Sequence, residues 1–259
     1  RAREISLNRS DAIQEARLQL PVCKMEQEIV EAIHYHDAVI VCGETGSGKS
    51  TQIPQFLYEY GYTSGGSGEN SGVSNISGGG MIGITQPRRV AAVSTAKRVA
   101  VEMGCPINDE ADGDIGDEDK EEQSSNKPRM KGKGKRKENG NGKKKASNDS
   151  LVGYQIRHDA STVKPGKTAV KFMTDGILLR EITADLLLPQ YSVLILDEAH
   201  ERSVNTDMLL GLLSRAVKAR KARSREEHTK WASLSEEERE GYASPIQPLK
   251  LVIMSATLR

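Results

Sequence analysis

The sequence predicts an α/β fold, a mostly parallel sheet with helices on both faces. Five short apolar runs rich in β-branched residues read as strands: Ala38–Cys42, 81–85, 169–173, 193–196 and 249–254. Each is too short for a typical helix. Helical patterns lie between several of them, over 90–103, 177–184 and 208–218. Strands alternating with helices imply parallel pairing and a sheet covered on both sides. The residues at the strand ends are equally informative. Every run ends in polar residues able to do chemistry, and parallel α/β sheets bind ligands beyond the carboxyl ends of their strands. One sheet edge is therefore expected to carry the function.

The first strand leads into Gly43-Glu44-Thr45-Gly46-Ser47-Gly48-Lys49-Ser50, which fits the phosphate-loop pattern of nucleotide triphosphatases. A helix start comes next at Thr51-Gln52-Ile53, despite Pro54. Glycines let successive backbone N–H groups turn toward phosphate, and the helix N-terminus adds its positive dipole end. Lys49 is placed to reach the β- and γ-phosphates, and Ser50 to ligate Mg²⁺. The alternative is a glycine-rich turn that binds nothing; the strand–loop–helix context argues against it.

With 259 residues the chain has room for one large α/β domain or two small ones. Its net charge of +1 conceals segregation: residues 109–122 hold nine acids and one lysine, and residues 127–145 hold ten Lys/Arg and one acid. Cys23, Cys42 and Cys105 show no paired or metal-type spacing, which speaks for a reducing compartment and against structural zinc. Cys42 reads as a small buried apolar residue at a strand end. No apolar run approaches a membrane span, no signal peptide is visible, and the start at Arg1 reads as a segment of a longer protein. Residues 1–36 read as a lead-in helix around Ile29, Val30 and Ile33, and 37–259 as the nucleotide-binding domain. Three insertions interrupt that domain. Residues 63–80 are a Gly/Ser/Asn loop, 106–150 a charge-blocked stretch with little to bury, and 218–247 a weaker one. Ser235-Glu236-Glu237-Glu238 fits a capping box for a short helix that Trp231 and Leu234 dock on the domain. The basic run 127–145 suits nuclear import or RNA tethering, or is only a solvated loop.

Asp197-Glu198-Ala199-His200 directly succeeds a strand. In a phosphate-loop fold an acid there holds Mg²⁺, usually through water, and Glu198 is placed to activate the attacking water. The plainer reading is a solvated acidic turn. His200 suits a hydrogen bond near the γ-phosphate. Arg88 and Arg89 open a helix after the second strand, and Thr174-Asp175-Gly176 come after the third. Guanidinium, hydroxyl and backbone N–H groups on one edge suit a nucleic-acid backbone; arginines on a solvated helix face are the alternative. Ser255 and Thr257 end the last strand. Two Phe, seven Tyr and one Trp offer no platform for stacking bases, so little sequence readout is expected.

Together, the phosphate loop, Thr85-Gln86-Pro87-Arg88-Arg89-Val90-Ala91-Ala92, Gly153-Tyr154-Gln155-Ile156-Arg157, Thr174-Asp175-Gly176-Ile177-Leu178-Leu179-Arg180-Glu181, Asp197-Glu198-Ala199-His200-Glu201-Arg202 and Ser255-Ala256-Thr257 resemble the first RecA-like lobe of DEAH-box RNA helicases. The likeness covers residues 20–259 apart from the insertions. It implies ATP-driven 3′-to-5′ movement on single-stranded RNA. By matching position, Gly43–Thr51 hold the nucleotide, Lys49, Asp197, Glu198 and His200 serve catalysis, and Ser50 and Asp197 hold Mg²⁺. Ser255 and Thr257 couple hydrolysis to RNA; Arg88, Arg89, Thr174, Asp175 and Arg157 contact it. Arg98 stacks on adenine. The family also implies a second RecA-like lobe and further domains, so residues 1–259 alone are expected to show negligible ATPase activity, and a protein activator is a candidate partner. Leu20-Pro21-Val22, Ile40-Val41-Cys42-Gly43 and Gln55-Phe56-Leu57-Tyr58-Glu59 look like the branch that acts in ribosome biogenesis, in the nucleolus, on the small-subunit precursor with its U3 small nucleolar RNA complex. Spliceosomal members of the family, a DNA-directed helicase and an RNA-binding scaffold without hydrolysis are the competing readings.

Overall fold

A computed structural model describes residues 5–63, 80–107, 151–157, 159–160, 162–239 and 244–257. The five apolar runs are strands, β1 (Ala38–Cys42), β2 (Met81–Gln86), β4 (Val170–Thr174), β5 (Tyr191–Leu196) and β6 (Lys250–Ser255), and a sixth, β3 (Val152–Gln155), joins them. All pair in parallel, in the order β1-β6-β5-β2-β4-β3. Neither edge strand has the same surroundings as the central ones. β3 escapes an apolar-run search because only four residues pair and two of them are Gly153 and Gln155. β1 is not the buried strand its composition suggests. Among the described residues it pairs only with β6, Ile40 is 59% exposed and Cys42 is exposed, so that cysteine is not a core residue.

Alternation along the strands divides the core in two. Val170, Phe172, Val193, Ile195, Val252 and Met254 face α2 (Glu26–Tyr35), α3 (Lys49–Glu59) and α4 (Arg89–Glu102). Met173, Leu194, Leu196 and Leu251 face α5 (Asp175–Ala184) and α6 (Val204–Ser233). Helices thus cover both faces, as a parallel sheet requires. Gly83 in mid-sheet leaves room for Tyr191; a Cβ there would lie 2.7 Å from Leu194 and 2.8 Å from the Tyr191 ring. The Tyr191 hydroxyl donates to Glu181 at 2.7 Å and accepts from buried Lys171 at 3.0 Å, which also pairs with Glu181. Burial first, and then the Glu181 carboxylate, push the Tyr191 hydroxyl well above its ordinary value.

The lead-in is more than one helix: α1 (Asp11–Leu18), a 3-10 turn (Pro21–Met25) and α2. Ser10 caps α1 by accepting from the Ile13 N–H. At the other end of the chain, α6 does not stop at Lys218. It continues to Ser233, through most of the stretch read as an insertion. That stretch is rich in Ala, Lys, Arg and Glu, all good helix formers, and Arg220 and Ser224 remain buried on its inner side. The capping box at Ser235 does form, with Ser235 N–H donating to Glu238 at 2.9 Å ahead of a short helix, α7 (Glu236–Arg239). Leu234 and Trp231 stay only partly buried, and Arg239 packs over the Trp231 ring at 6.0 Å. The charge blocks at 109–122 and 127–145, and nearly all of the loop at 63–80, lie outside the described residues.

Candidate active site and adjoining groove

The strand order sets the chemistry side by side. Across the carboxyl edge stand Cys42 beside Ser255, Leu196 before Asp197, and Gln86 beside Thr174. The phosphate loop leaves β1 and its Gly43 N–H donates to the Ser255 carbonyl at 3.2 Å. Gly46 and Gly48 take φ of +85° and +95°, conformations that L side chains rarely adopt. A Cβ on Gly48 would also lie 2.9 Å from Leu20 and 3.1 Å from Val22, and Val22 N–H donates to Ser47 at 3.1 Å. The segment before α2 therefore braces the loop. Gly48→Ala should lower nucleotide affinity at least about tenfold, and destabilise by about 1–2 kcal/mol through the strained φ and the crowded contact. Isothermal titration and a thermal melt on the same preparation would check both.

Lys49 is buried and curls back, its Nζ donating to the carbonyls of Gly43 and Glu44 and to Ser47 Oγ. The loop is thus shaped around the cation that phosphate would claim. Thr45 is exposed on the loop crest, whereas the Thr51 hydroxyl is turned inward to the Gly48 carbonyl at 3.2 Å; it fastens the helix rather than facing phosphate. Asp197 is buried. Its Oδ1 accepts from the Glu198 N–H at 2.8 Å and its Oδ2 from Gln86 Nε2 at 2.6 Å. Ser50, the other expected Mg²⁺ ligand, lies near enough to act on the Asp197 carboxyl. Two hard oxygen donors beside a phosphate loop fit Mg²⁺, which keeps most of its shell as water and phosphate. Among the described residues no group of three or more His, Cys, Asp and Glu gathers as a metal cage. Gln86 was not among the expected site residues. Its place at the end of β2, beside a strand ending in an acid, was the available signal.

Burial holds the Asp197 carboxyl above its ordinary value, with the Glu198 charge adding to the effect and the hydrogen bonds from Ser50, Glu198 and Gln86 opposing it. Glu198 occupies the left-handed region at φ +54°, unusual for a glutamate, and its side chain is about one-third exposed. His200 Nδ1 lies 3.4 Å from Glu198 and accepts the Ala256 N–H at 3.2 Å. An accepting Nδ1 carries no proton, so this geometry assigns the neutral imidazole with hydrogen on Nε2. The contact with Glu198 is then no ion pair, and His200 instead fastens the acidic turn to the end of β6. Ser255 Oγ donates to the Thr257 carbonyl at 2.5 Å and accepts the Thr257 N–H, closing a tight turn there.

Farther along the same edge, Pro87, Arg89, Arg157, Thr174, Asp175, Gly176, Arg180, Ser203 and Asn205 line an open groove of about 650 Å³. It unites Arg89, Arg157, Thr174 and Asp175, and adds Arg180, which lies one helical turn after Gly176. Arg88 does not line this groove; it is exposed beside it in sequence and pairs with Glu201 at 3.2 Å. The Asp175 carboxylate has partners of its own. It is buried and accepts from Thr206 Oγ1 at 2.7 Å and Ser203 Oγ at 3.3 Å. Asp175 therefore ties the start of α5 to the start of α6, a few residues beyond the acidic turn.

No protein-family model matches the chain. Among curated proteins it is 45% identical over 257 residues to the probable ATP-dependent RNA helicase DHR1 of Saccharomyces cerevisiae, covering 98% of this chain and 15% of that protein. It is 43% identical to the ATP-dependent RNA helicase DEAH13 of Arabidopsis thaliana, covering 98% of this chain and 16% of that protein. A second Arabidopsis protein, the pre-mRNA-splicing factor ATP-dependent RNA helicase DEAH10, is 37% identical over 95% of this chain and 29% of its own length. The chain thus spans about a sixth of the length of the first two. With motifs that the sheet order sets next to one another, the chain is similar along nearly its whole length to a segment of DEAH-box ATP-dependent RNA helicases, and its parallel sheet with helices on both faces fits a RecA-like lobe.

Proposed function

We propose that the chain is the first, ATP-binding lobe of an RNA-remodelling motor that hydrolyses ATP with Mg²⁺. The observation that carries this is the joining of Ser50, Gln86 and Asp197 at the mouth of the phosphate loop, with His200 bridging to Ala256 and a basic groove on the same edge. When bound, Mg²⁺ supplies charge neutralisation to the β- and γ-phosphates. Lys49 exchanges its carbonyl partners for phosphate oxygens. Gln86 fixes the Asp197 carboxylate, and Glu198 orients and deprotonates the water. His200 passes the state of the acidic turn to Ser255 and Thr257. Arg89, Arg157, Arg180 and Thr174 hold the RNA backbone without reading bases. A second RecA-like lobe completes the site, and a protein activator sets its rate.

Within the family, the chain's wording supports the ribosome-biogenesis branch, with a pre-rRNA and U3 small nucleolar RNA complex as partner and the nucleolus as location. Identity to the relative named as a splicing factor is 37%, below the 45% to DHR1, which weighs against a spliceosomal role. The test is ATP turnover by the full-length protein with and without single-stranded RNA, beside Glu198→Gln. RNA-stimulated turnover that falls by about 10²–10³-fold in the variant, with ATP and RNA binding kept, is the expected result. No turnover in either protein, with ATP binding intact, would favour a scaffold.

A further inference from the structure

Helix α3 begins with the phosphate lysine, yet its buried side carries a polar stripe, Gln52, Gln55 and Glu59. Buried polar groups need partners, and these find them on two other elements. From the N-terminal arm, Arg17 Nε donates to Gln52 Oε1 at 2.5 Å, while Arg9 donates to Gln55 Oε1 at 2.8 Å and pairs with Glu59 at 2.7 Å. From α4, one oxygen of Glu102 accepts from both Gln52 Nε2 at 2.8 Å and Gln55 Nε2 at 2.7 Å. The other oxygen of Glu102 accepts from Arg98 Nε at 3.0 Å. A continuous chain of hydrogen bonds thus runs from the arm, behind the phosphate-loop helix, to Arg98.

The two ends of that chain differ in kind. Arg9, Arg17 and Glu102 are largely enclosed, whereas the Arg98 side chain is 63% exposed. An exposed ion pair one turn apart contributes little stability by itself. It does determine where the guanidinium points, because Glu102 is itself held by two amides that the arm orients.

We propose that Glu102 is a positioning residue for Arg98, and that Arg9 and Arg17 set its aim through the α3 glutamines. The inference rests on the reading of Arg98 as the residue that stacks on the nucleobase. On this account the segment ahead of α2 serves both halves of the nucleotide: Leu20 and Val22 press on the phosphate loop, and the arginines preset the base side.

The test compares two ligands on the full-length protein with Mg²⁺: ATP, and inorganic tripolyphosphate, which has phosphates and no base. Glu102→Gln is a narrow probe. Its amide oxygen still accepts from Gln52 and Gln55, but its NH₂ group now faces the Arg98 guanidinium. The expected result is about a tenfold loss of ATP affinity, with tripolyphosphate affinity within about twofold of wild type. Arg17→Met should lose ATP affinity selectively by about threefold. Arg98→Ala is the reference. If it weakens ATP selectively while Glu102→Gln leaves ATP binding intact, the positioning role is overturned. Equal weakening of both ligands by Glu102→Gln also overturns it, since Glu102 would then brace the phosphate loop. An Arg98→Ala variant with no preference between the ligands would instead remove the base-side reading on which the proposal stands. Retained tripolyphosphate binding certifies a folded site in every variant.

Discussion

Asp197→Asn should abolish Mg²⁺-dependent ATP turnover and at the same time raise the unfolding midpoint of the nucleotide-free protein. Both effects stem from one buried carboxylate. Burial holds its proton affinity above the ordinary value, so the folded state binds the proton more tightly than the unfolded state does. For such a group, stability rises as pH falls through the raised folded value, and the ionised form present at neutral pH is the costly one. Asparagine keeps an oxygen for the Glu198 N–H, and Gln86 can reverse its amide to accept from the new NH₂. The expected gain is about 1 kcal/mol at pH 7, shrinking as the pH is lowered toward the raised carboxyl value. Turnover should fall at least about a hundredfold, and the stabilisation that ATP and Mg²⁺ confer should shrink with it. Calorimetry of both proteins at two pH values, with and without ATP and Mg²⁺, measures all of this. A variant no more stable than wild type at pH 7 would mean that Ser50 and Gln86 already offset the burial.

Arg220→Met should cost about 3 kcal/mol of unfolding free energy without touching the active site. Arg220 is 2% exposed. Its Nε donates to the Gln247 carbonyl at 2.8 Å, and its NH1 donates to Leu188 at 2.7 Å and Leu187 at 3.2 Å. These bonds hold α6 against both the turn entering β5 and the approach to β6. Burial lowers its pKa to about 10, still high enough for a full charge at neutral pH. Methionine fills the space of the stem but removes the donor from the Leu187 and Gln247 carbonyls and leaves Leu188 with the Tyr191 N–H alone. Urea denaturation should show a lower midpoint at unchanged slope. ATP affinity at temperatures well below the transition should be unaltered.

The same arginine shows where the sequence stops being legible. It stands in Lys218-Ala219-Arg220-Lys221-Ala222-Arg223-Ser224-Arg225, a run that reads equally as a nucleic-acid tether or a solvated surface. Its role is decided by carbonyls at 187, 188 and 247, which no local pattern announces. The phosphate loop, by contrast, was legible because its chemistry needs glycines, a lysine and a hydroxyl within eight consecutive residues. Interior strands were legible because burial on both faces requires unbroken apolar runs. The edge position of β1 was not, since an apolar run does not say how many neighbours it has. The part played by the Asp175 carboxylate was hidden for a related reason. Beside Thr174 and Gly176 it looked like part of a backbone-gripping turn, but its hydrogen-bond partners, Ser203 and Thr206, lie on another element. Arg88 and Arg89 are adjacent in sequence and diverge in space.

Because β1, among the described residues, finds its one sheet partner in β6, the timing of synthesis matters. Cys42 leaves the ribosome long before Ser255, the residue it must lie beside. At about 5–20 residues per second the gap is some tens of seconds. During that interval the phosphate loop exists as sequence but has no carbonyl from the far strand to anchor Gly43, so the nascent chain should be unable to retain nucleotide. Ribosome-stalled chains cut before β6 should accordingly fail to hold a labelled ATP analogue, and chains that expose all of β6 beyond the exit tunnel should acquire it in one step. Early capture would mean that the loop is shaped by Leu20 and Val22 alone. Of the six described strands, the latest made is thus the one that commissions the earliest.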